Sequence, residues 1–211
     1  MELFTDLHQY LAPRFTQYQI HLDRVNDACS VTDLNRTPAA VFVRPVNEAL
    51  NIERMMGSET RRVTLNRHPV IEVRPVAAGL AIELVLAPTA WWYQQNLIGK
   101  LSIERHMSAF HRLIARMSDV YRLGFWAGAA LDDMHLTPRY LIHRPVLAEW
   151  LKTYSGGRDF FRIGAWYDDA AAVSPSQVFE HVRELAVVHD FIAWSSNNDF
   201  RMFYGQQATH A

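Results

Sequence analysis

Asp159-Phe160-Phe161-Arg162-Ile163-Gly164-Ala165-Trp166 repeats, forty residues on, the pattern of Asp119-Val120-Tyr121-Arg122-Leu123-Gly124-Phe125-Trp126. Asp, Arg, Gly and Trp are identical at matching offsets, and Phe/Tyr and Ile/Leu are near-equivalents. Side chains alternate across an extended chain, so Tyr121, Leu123 and Phe125 share one face while Arg122, Gly124 and Trp126 share the other. The second copy places Phe160, Arg162, Gly164 and Trp166 on the corresponding face. An amphipathic helix is expected before each copy. The first runs from about Ser102 to Ser118 on the stripe Ile103, Met107, Phe110, Ile114 and Met117; the second starts at Pro145 and stops at Gly156-Gly157. The repeated unit is therefore helix then strand, and both strands are expected in one sheet.

A second echo lies upstream. Val43-Arg44-Pro45-Val46 with Leu50, Ile52 and Glu53 recurs thirty residues later as Val73-Arg74-Pro75-Val76 with Leu80, Ile82 and Glu83. Each copy reads as a β-hairpin, centred near Asn47 and near Ala77, with apolar residues on one side and the charges on the other. Arg44 would then lie diagonal to Glu53, and Arg74 diagonal to Glu83, as exposed cross-strand ion pairs of little energetic weight.

The remaining elements frame these units. Leu3, Leu7 and Leu11 suggest a helix interrupted near Pro13, followed by a second through Phe15, Tyr18 and Leu22. Ser174-Pro175-Ser176-Gln177 carries the N-cap, first-turn proline and N3 glutamine of a capping box, opening a helix to about Asp190. Short strands are expected at Arg61 to Asn66 and Arg139 to His143, with an edge strand at Phe200 to Tyr204. Together these patterns predict one α+β domain over residues 1–211, with a mainly antiparallel sheet, internal near-duplication and helices packed on the sheet. A split near Pro88 is the alternative division.

Composition narrows the function classes. With 49% hydrophobic and 20% charged residues and only 9 Gly and 9 Pro, the chain is an ordinary globular one. Its 21 basic and 22 acidic side chains give a net charge of -1, so no global field draws it to nucleic acid or anionic lipid. Arg54, Arg61, Arg62, Arg67, His68 and Arg74 form a locally basic stretch, diluted by Glu48, Glu53, Glu59 and Glu72. Trp91-Trp92-Tyr93 fits an interface or a loop anchor before the long helix. The lone Cys29 cannot form an internal disulfide, no window is long and apolar enough to cross a membrane, and the acidic start is unlike a secretory signal. A cytoplasmic protein with neither nucleic acid nor membrane as partner is expected.

Chemistry-bearing motifs are sparse. There is no His-Glu-x-x-His, no Gly-x-Ser-x-Gly and no phosphate-cradling loop, and nothing calls for a cofactor. Glu104, Ser108 and His111 read as a solvated helix face, His106 as a boundary residue and His189 as a buried, hydrogen-bonded imidazole. Asp132, Asp133 and His135, with Asp168-Asp169, could line two neighbouring loops and hold a divalent cation, or simply shape turns.

The face carrying Arg122, Trp126, Arg162 and Trp166 is the candidate ligand-binding surface, because guanidinium and indole groups together hold planar or anionic groups. The expected function is a non-enzymatic domain binding a small molecule or a protein there, homodimerisation included. The alternative is a metal-assisted hydrolase using the aspartates and His135. Catalytic residues are not assigned.

Overall fold

The computed structural model describes residues 2–34, 36–77, 79–127, 135–154 and 157–193. In chain order the elements are α1 (Glu2–Gln17), β1 (Asp23–Val25), β2 (Ala40–Val43), α2 (Val46–Met55), β3 (Val70–Val76), β4 (Gly79–Leu86), α3 (Trp91–Leu101), α4 (Glu104–Ile114), β5 (Arg122–Trp126), α5 (Pro138–Leu141), α6 (Arg144–Lys152), β6 (Phe160–Tyr167) and α7 (Pro175–Ile192). The six strands form one sheet in the order β1-β2-β3-β4-β6-β5, every neighbouring pair antiparallel. This is the α+β, single-domain architecture that the strand and helix patterns predict.

Alternation sorts the strand residues between two unlike faces. Phe42, Ile71, Val73, Ile82, Leu84, Leu123, Phe161 and Ile163 point to the helical side. There they meet Leu7, Leu11 and Phe15 of α1, Tyr93 and Leu97 of α3, Phe110 of α4 and Val182, Leu185 and Phe191 of α7. Each fully buried side chain of this size contributes roughly 1.5–3 kcal/mol, so this layer supplies most of the folding free energy. A smaller apolar cluster on the opposite face joins Val41, Val43, Val70, Val85 and Phe160 to Val31 and Ala39. Val31 and Ala39 belong to a loop closed on itself by Ser30 N–H to Thr37 O and Ala39 N–H to Ala28 O. Among the described residues no helix is long and apolar enough to span a membrane.

Local signals explain several boundaries. Ser174 accepts from Gln177 N–H at 3.3 Å and the Gln177 side chain accepts from Ser174 N–H at 2.8 Å, completing the capping box of α7. The β3–β4 hairpin turns through Ala77, at φ 40°, and pairs Val76 with Gly79. A Cβ on Gly79 would lie 1.7 Å from the Tyr167 carbonyl oxygen, so only glycine lets β6 pair alongside at this point.

That glycine also explains a departure from the sequence pattern. The expected first hairpin, centred near Asn47, is instead strand β2 followed by helix α2. Ala49 stands where the second copy has Gly79, and Pro45 occupies the N-cap position. Asn47-Glu48-Ala49-Leu50 then propagates a helix that buries Ala49, Ile52 and Glu53 at helical spacing. Glu53 therefore lies on a helix, and the expected cross-strand geometry between Arg44 and Glu53 is not adopted.

Other elements differ for related reasons. The helix expected from Ser102 to Ser118 is α4, and it is preceded by α3, whose first turn is Trp91-Trp92-Tyr93 rather than a loop. Arg139 to His143 is not a strand: Pro138 sits at the first position of α5. Arg61 to Asn66 forms no strand and leads into a 3-10 turn at Leu65–Arg67. α1 runs through Pro13 without a break, and Phe15 belongs to it, because burial of Leu7, Leu11 and Phe15 on one stripe outweighs the missing N–H. Phe200 to Tyr204 lies outside the described residues.

Candidate functional site

The two Arg-x-Gly-x-Trp segments are neighbours. β5 and β6 pair so that Arg122 stands opposite Gly164 and Gly124 opposite Arg162. On this face each tryptophan ring folds back over the glycine two residues earlier. A Cβ on Gly124 would meet the Trp126 ring at 2.2 Å, and one on Gly164 would meet Glu83 Cγ at 2.7 Å and the Trp166 ring at 3.0 Å. Gly124 yields its space to the Trp126 ring, and Gly164 yields its space to Glu83, the Ile82 carbonyl and the Trp166 ring.

The Arg162 guanidinium lies against both indoles, 4.8 Å from the Trp126 ring centroid and 5.5 Å from that of Trp166, the two rings being 6.2 Å from each other. Arg162 is wholly buried. Its Nε donates to Glu83 Oε1 at 2.8 Å, and its Nη2 donates to the same oxygen. Arg74 Nε donates to the other Glu83 oxygen at 2.7 Å and approaches Glu72 at 3.4 Å. Glu72 in turn accepts from Ser30 Oγ at 3.0 Å, from Val31 N–H at 2.8 Å and from Thr32 Oγ1. Burial, then the neighbouring Glu83 charge, pushes the Glu72 carboxyl above the ordinary carboxylate range. Arg74 does lie diagonal to Glu83, as the alternation predicts. The expected exposure is corrected, however: loop 30–32 and the two indoles seal this face, making it a buried two-arginine, two-glutamate lattice.

Arg122 is set differently. Its Nη1 donates to the carbonyls of Asp119 at 2.7 Å and Tyr121 at 3.0 Å, and among the described residues no carboxylate pairs with it. Among the described residues β5 is the outermost strand, joined beyond the sheet by a bridge between Leu123 and Leu136. Trp166, diagonal to Arg122 across the β5–β6 pair, buries its Nε1 without a hydrogen-bond partner among the described residues. Trp150 Nε1 is also unpartnered, but its ring is stacked at 4.4 Å on Phe125 in the apolar layer.

The residues expected to hold a metal are only partly in view. Asp132 and Asp133 lie outside the described residues. The His135 backbone passes 3.5 Å from the Cβ position of Gly124, so His135 does border the Arg/Trp face. Asp168 and Asp169 are exposed, and Asp169 accepts from Ala171 N–H at 2.9 Å as a cap. Among the described residues no group of three or more His, Cys, Asp or Glu side chains could hold a metal ion.

Two polar clusters escaped the sequence patterns. His181 of α7 has both ring nitrogens engaged, Nδ1 with the Tyr121 hydroxyl at 2.7 Å and Nε2 with the Tyr167 hydroxyl at 2.5 Å. A neutral imidazole accepts at one nitrogen and donates at the other, so the two hydroxyls take opposite roles. Burial holds His181 below the usual imidazole value against the opposing pull of Glu184 and Glu180. Burial, with a hydrogen bond to Glu184, pushes the Tyr121 hydroxyl up. The second cluster joins Glu53 to His68 Nε2 at 3.0 Å and His68 Nδ1 to the Tyr93 hydroxyl at 3.2 Å. Burial lowers His68 and raises Tyr93 to about 12. This second cluster is closed to solvent and ties α2 to the segment before β3 and to α3. The only available signal was the recurrence of Glu53 and Tyr121 within repeated segments.

His189 is buried as expected, 3.3 Å from the Pro69 carbonyl oxygen and 3.4 Å from Asp190. His111 is not merely solvated, since its Nε2 contacts the Ile142 carbonyl. The basic stretch does not form one surface: Arg54, Arg61, Arg62 and Arg67 are exposed, whereas His68 and Arg74 are buried. Comparison of the chain with protein-family models, with curated proteins and with solved structures found no match.

Proposed function

We propose that this chain is a non-enzymatic, cytoplasmic binding domain that takes a small ligand on the outer part of the Arg/Trp face. Arg122 and Trp166 are the contacting groups, and Trp126 and Arg162 are the support beneath them. The observation that carries this reading is the Trp166 indole N–H, a buried donor that has no acceptor among the described residues, beside an arginine that no described carboxylate pairs with. A buried, unsatisfied donor costs about 1–3 kcal/mol, and a ligand oxygen would recover that cost. Arg162 is the anchored member of the pair, because Glu83 already neutralises it. The lone Cys29 fits a reducing compartment.

The test is the thermal midpoint of the full chain against a panel of phosphates, carboxylic acids, nucleotides and sugars. An anionic compound should raise the midpoint of the parent protein through selective binding to the folded state, and Arg122→Ala or Trp166→Phe should remove the rise. A panel that shifts the parent and the Trp166→Phe variant equally would overturn the assignment.

A further inference from the structure

We infer that the group this face receives is a carboxylate, bound by the Nε/Nη2 edge of Arg122 as Glu83 is bound by the same edge of Arg162. The inference rests on the binding reading above and adds the chemical class of the ligand.

The two arginines hold the same place in the two Arg-x-Gly-x-Trp segments, and antiparallel pairing sets each opposite the other segment's glycine. Each therefore has a glycine across the strand and a tryptophan ring folded over a glycine nearby. Their surroundings differ in burial and in partner: Arg162 is wholly buried against two indoles, whereas Arg122 is partly exposed. Arg162 lies on β6, next to β4, and β4 supplies the Glu83 carboxylate to its Nε and Nη2. Arg122 lies on the outermost strand, and no described side chain supplies a carboxylate from beyond it. Its Nη1 is spent on the Asp119 and Tyr121 carbonyls, which turns that side of the guanidinium inward to the backbone. The edge left is the one Arg162 uses for Glu83.

Ligand class follows from shape and charge. A guanidinium edge presents two parallel N–H groups that match the two oxygens of a planar carboxylate. In the Glu83 pair both converge on Oε1 because Arg74 holds Oε2, whereas a ligand carboxylate with no second arginine beside it offers Arg122 both oxygens. A single negative charge balances the one guanidinium, whereas a phosphate monoester brings about -1.5 to -2 at neutral pH to a half-buried position. Trp166 adds a flat ring and one N–H donor, so a carboxylate carried on a planar ring or short apolar body fits best. The occupant is a small carboxylic acid; a carboxylate at the end of a peptide presents the same chemistry and is separated from it by the test.

The experiment compares benzoate, benzamide and phenyl phosphate, which share a ring and differ in the head group, by tryptophan fluorescence titration of the full chain. Benzoate is expected to bind at least about tenfold more tightly than either analogue, with Arg122→Lys weakening it about tenfold through loss of the two-pronged contact. Arg122→Lys keeps the charge and the alkyl stem, so it reads binding even where Arg122→Ala folds poorly. A free carboxy-terminal dipeptide binding more tightly than benzoate assigns the site to peptide ends, within the same class. Arg122-dependent binding of phenyl phosphate or benzamide in preference to benzoate overturns the carboxylate and leaves the binding face standing. No Arg122-dependent binding by any of these probes overturns both.

Discussion

The Glu83 carboxylate and the Arg162 guanidinium form an ion pair closed to solvent on every side, with Arg74 on the second carboxylate oxygen. Removing one partner of such a pair leaves an uncompensated buried charge. Glu83→Gln should therefore lower the stability by about 3–5 kcal/mol, read from the urea midpoint at unchanged slope. The exposed Glu149–Lys152 pair is the internal control, and Glu149→Gln should leave the midpoint within error. Equal effects of the two substitutions would refute a structural role for the lattice.

Gly124 and Gly99 make opposite predictions for the same change. A methyl group at Gly124 must displace the Trp126 ring, so Gly124→Ala should cost about 1–3 kcal/mol and red-shift the tryptophan emission. Gly99 is inside α3 with nothing within 4 Å of its Cβ position, and alanine there should raise stability by up to about 1 kcal/mol. A neutral Gly124→Ala would mean that the indoles are not held against the strand.

Acid should loosen the fold through histidines. His68 and His181 both titrate below the model-compound value of 6.5, chiefly from burial. The unfolded chain takes up these protons near pH 6.5 while the folded chain resists, so the stability present above 6.5 is lost as the pH falls below it. Glu72 works in the opposite sense: its raised value makes its contribution complete below 4.5 and lost as the pH rises through the folded value. Subtracting the pH profile of His181→Gln from that of the parent isolates one histidine. The difference should grow between pH 7 and 5, and a flat difference would show that His181 is not held neutral.

Lys100 supplies a direct titration. Its Nζ donates to the Phe191 carbonyl at 2.6 Å near the end of α7, and burial lowers it to about 8. Lys100 and Lys152 are the only lysines, so 13C-methylated protein should show two lysine resonances beside that of the α-amino group, and the one that disappears in Lys100→Arg should have a midpoint about 8. A midpoint of about 10 for the resonance lost in Lys100→Arg would place Lys100 in water rather than against α7.

The strands were legible where alternation and a local terminator agreed. Glu72, Arg74 and Glu83 were assignable to one face of β3–β4 from spacing alone, and Arg122, Gly124, Arg162 and Gly164 to one face of β5–β6. Identity at seven positions between the 43–53 and 73–83 segments nevertheless misled, because a helix and a strand can both use Val-Arg-Pro-Val followed by spaced apolar residues. Ala49 against Gly79 decided between them, and the need for glycine arises from the Tyr167 carbonyl, far along the chain. α3 was hidden because its first turn is aromatic, and ring-bearing residues are weak helix signals until the core they fill is known.

Period-two alternation, proline and glycine punctuation and the Ser174 capping box are local properties, so residues close in the chain were enough to settle the α+β class, the β3–β4 hairpin and the start of α7. Which strand became the sheet edge, and which face was covered by residues 30–32, depended on segments brought together over distances of 40 residues and more. That packing alone made Arg162 a buried strut and left Arg122, with similar neighbours in sequence, at the edge on two backbone carbonyls with no carboxylate beside it among the described residues.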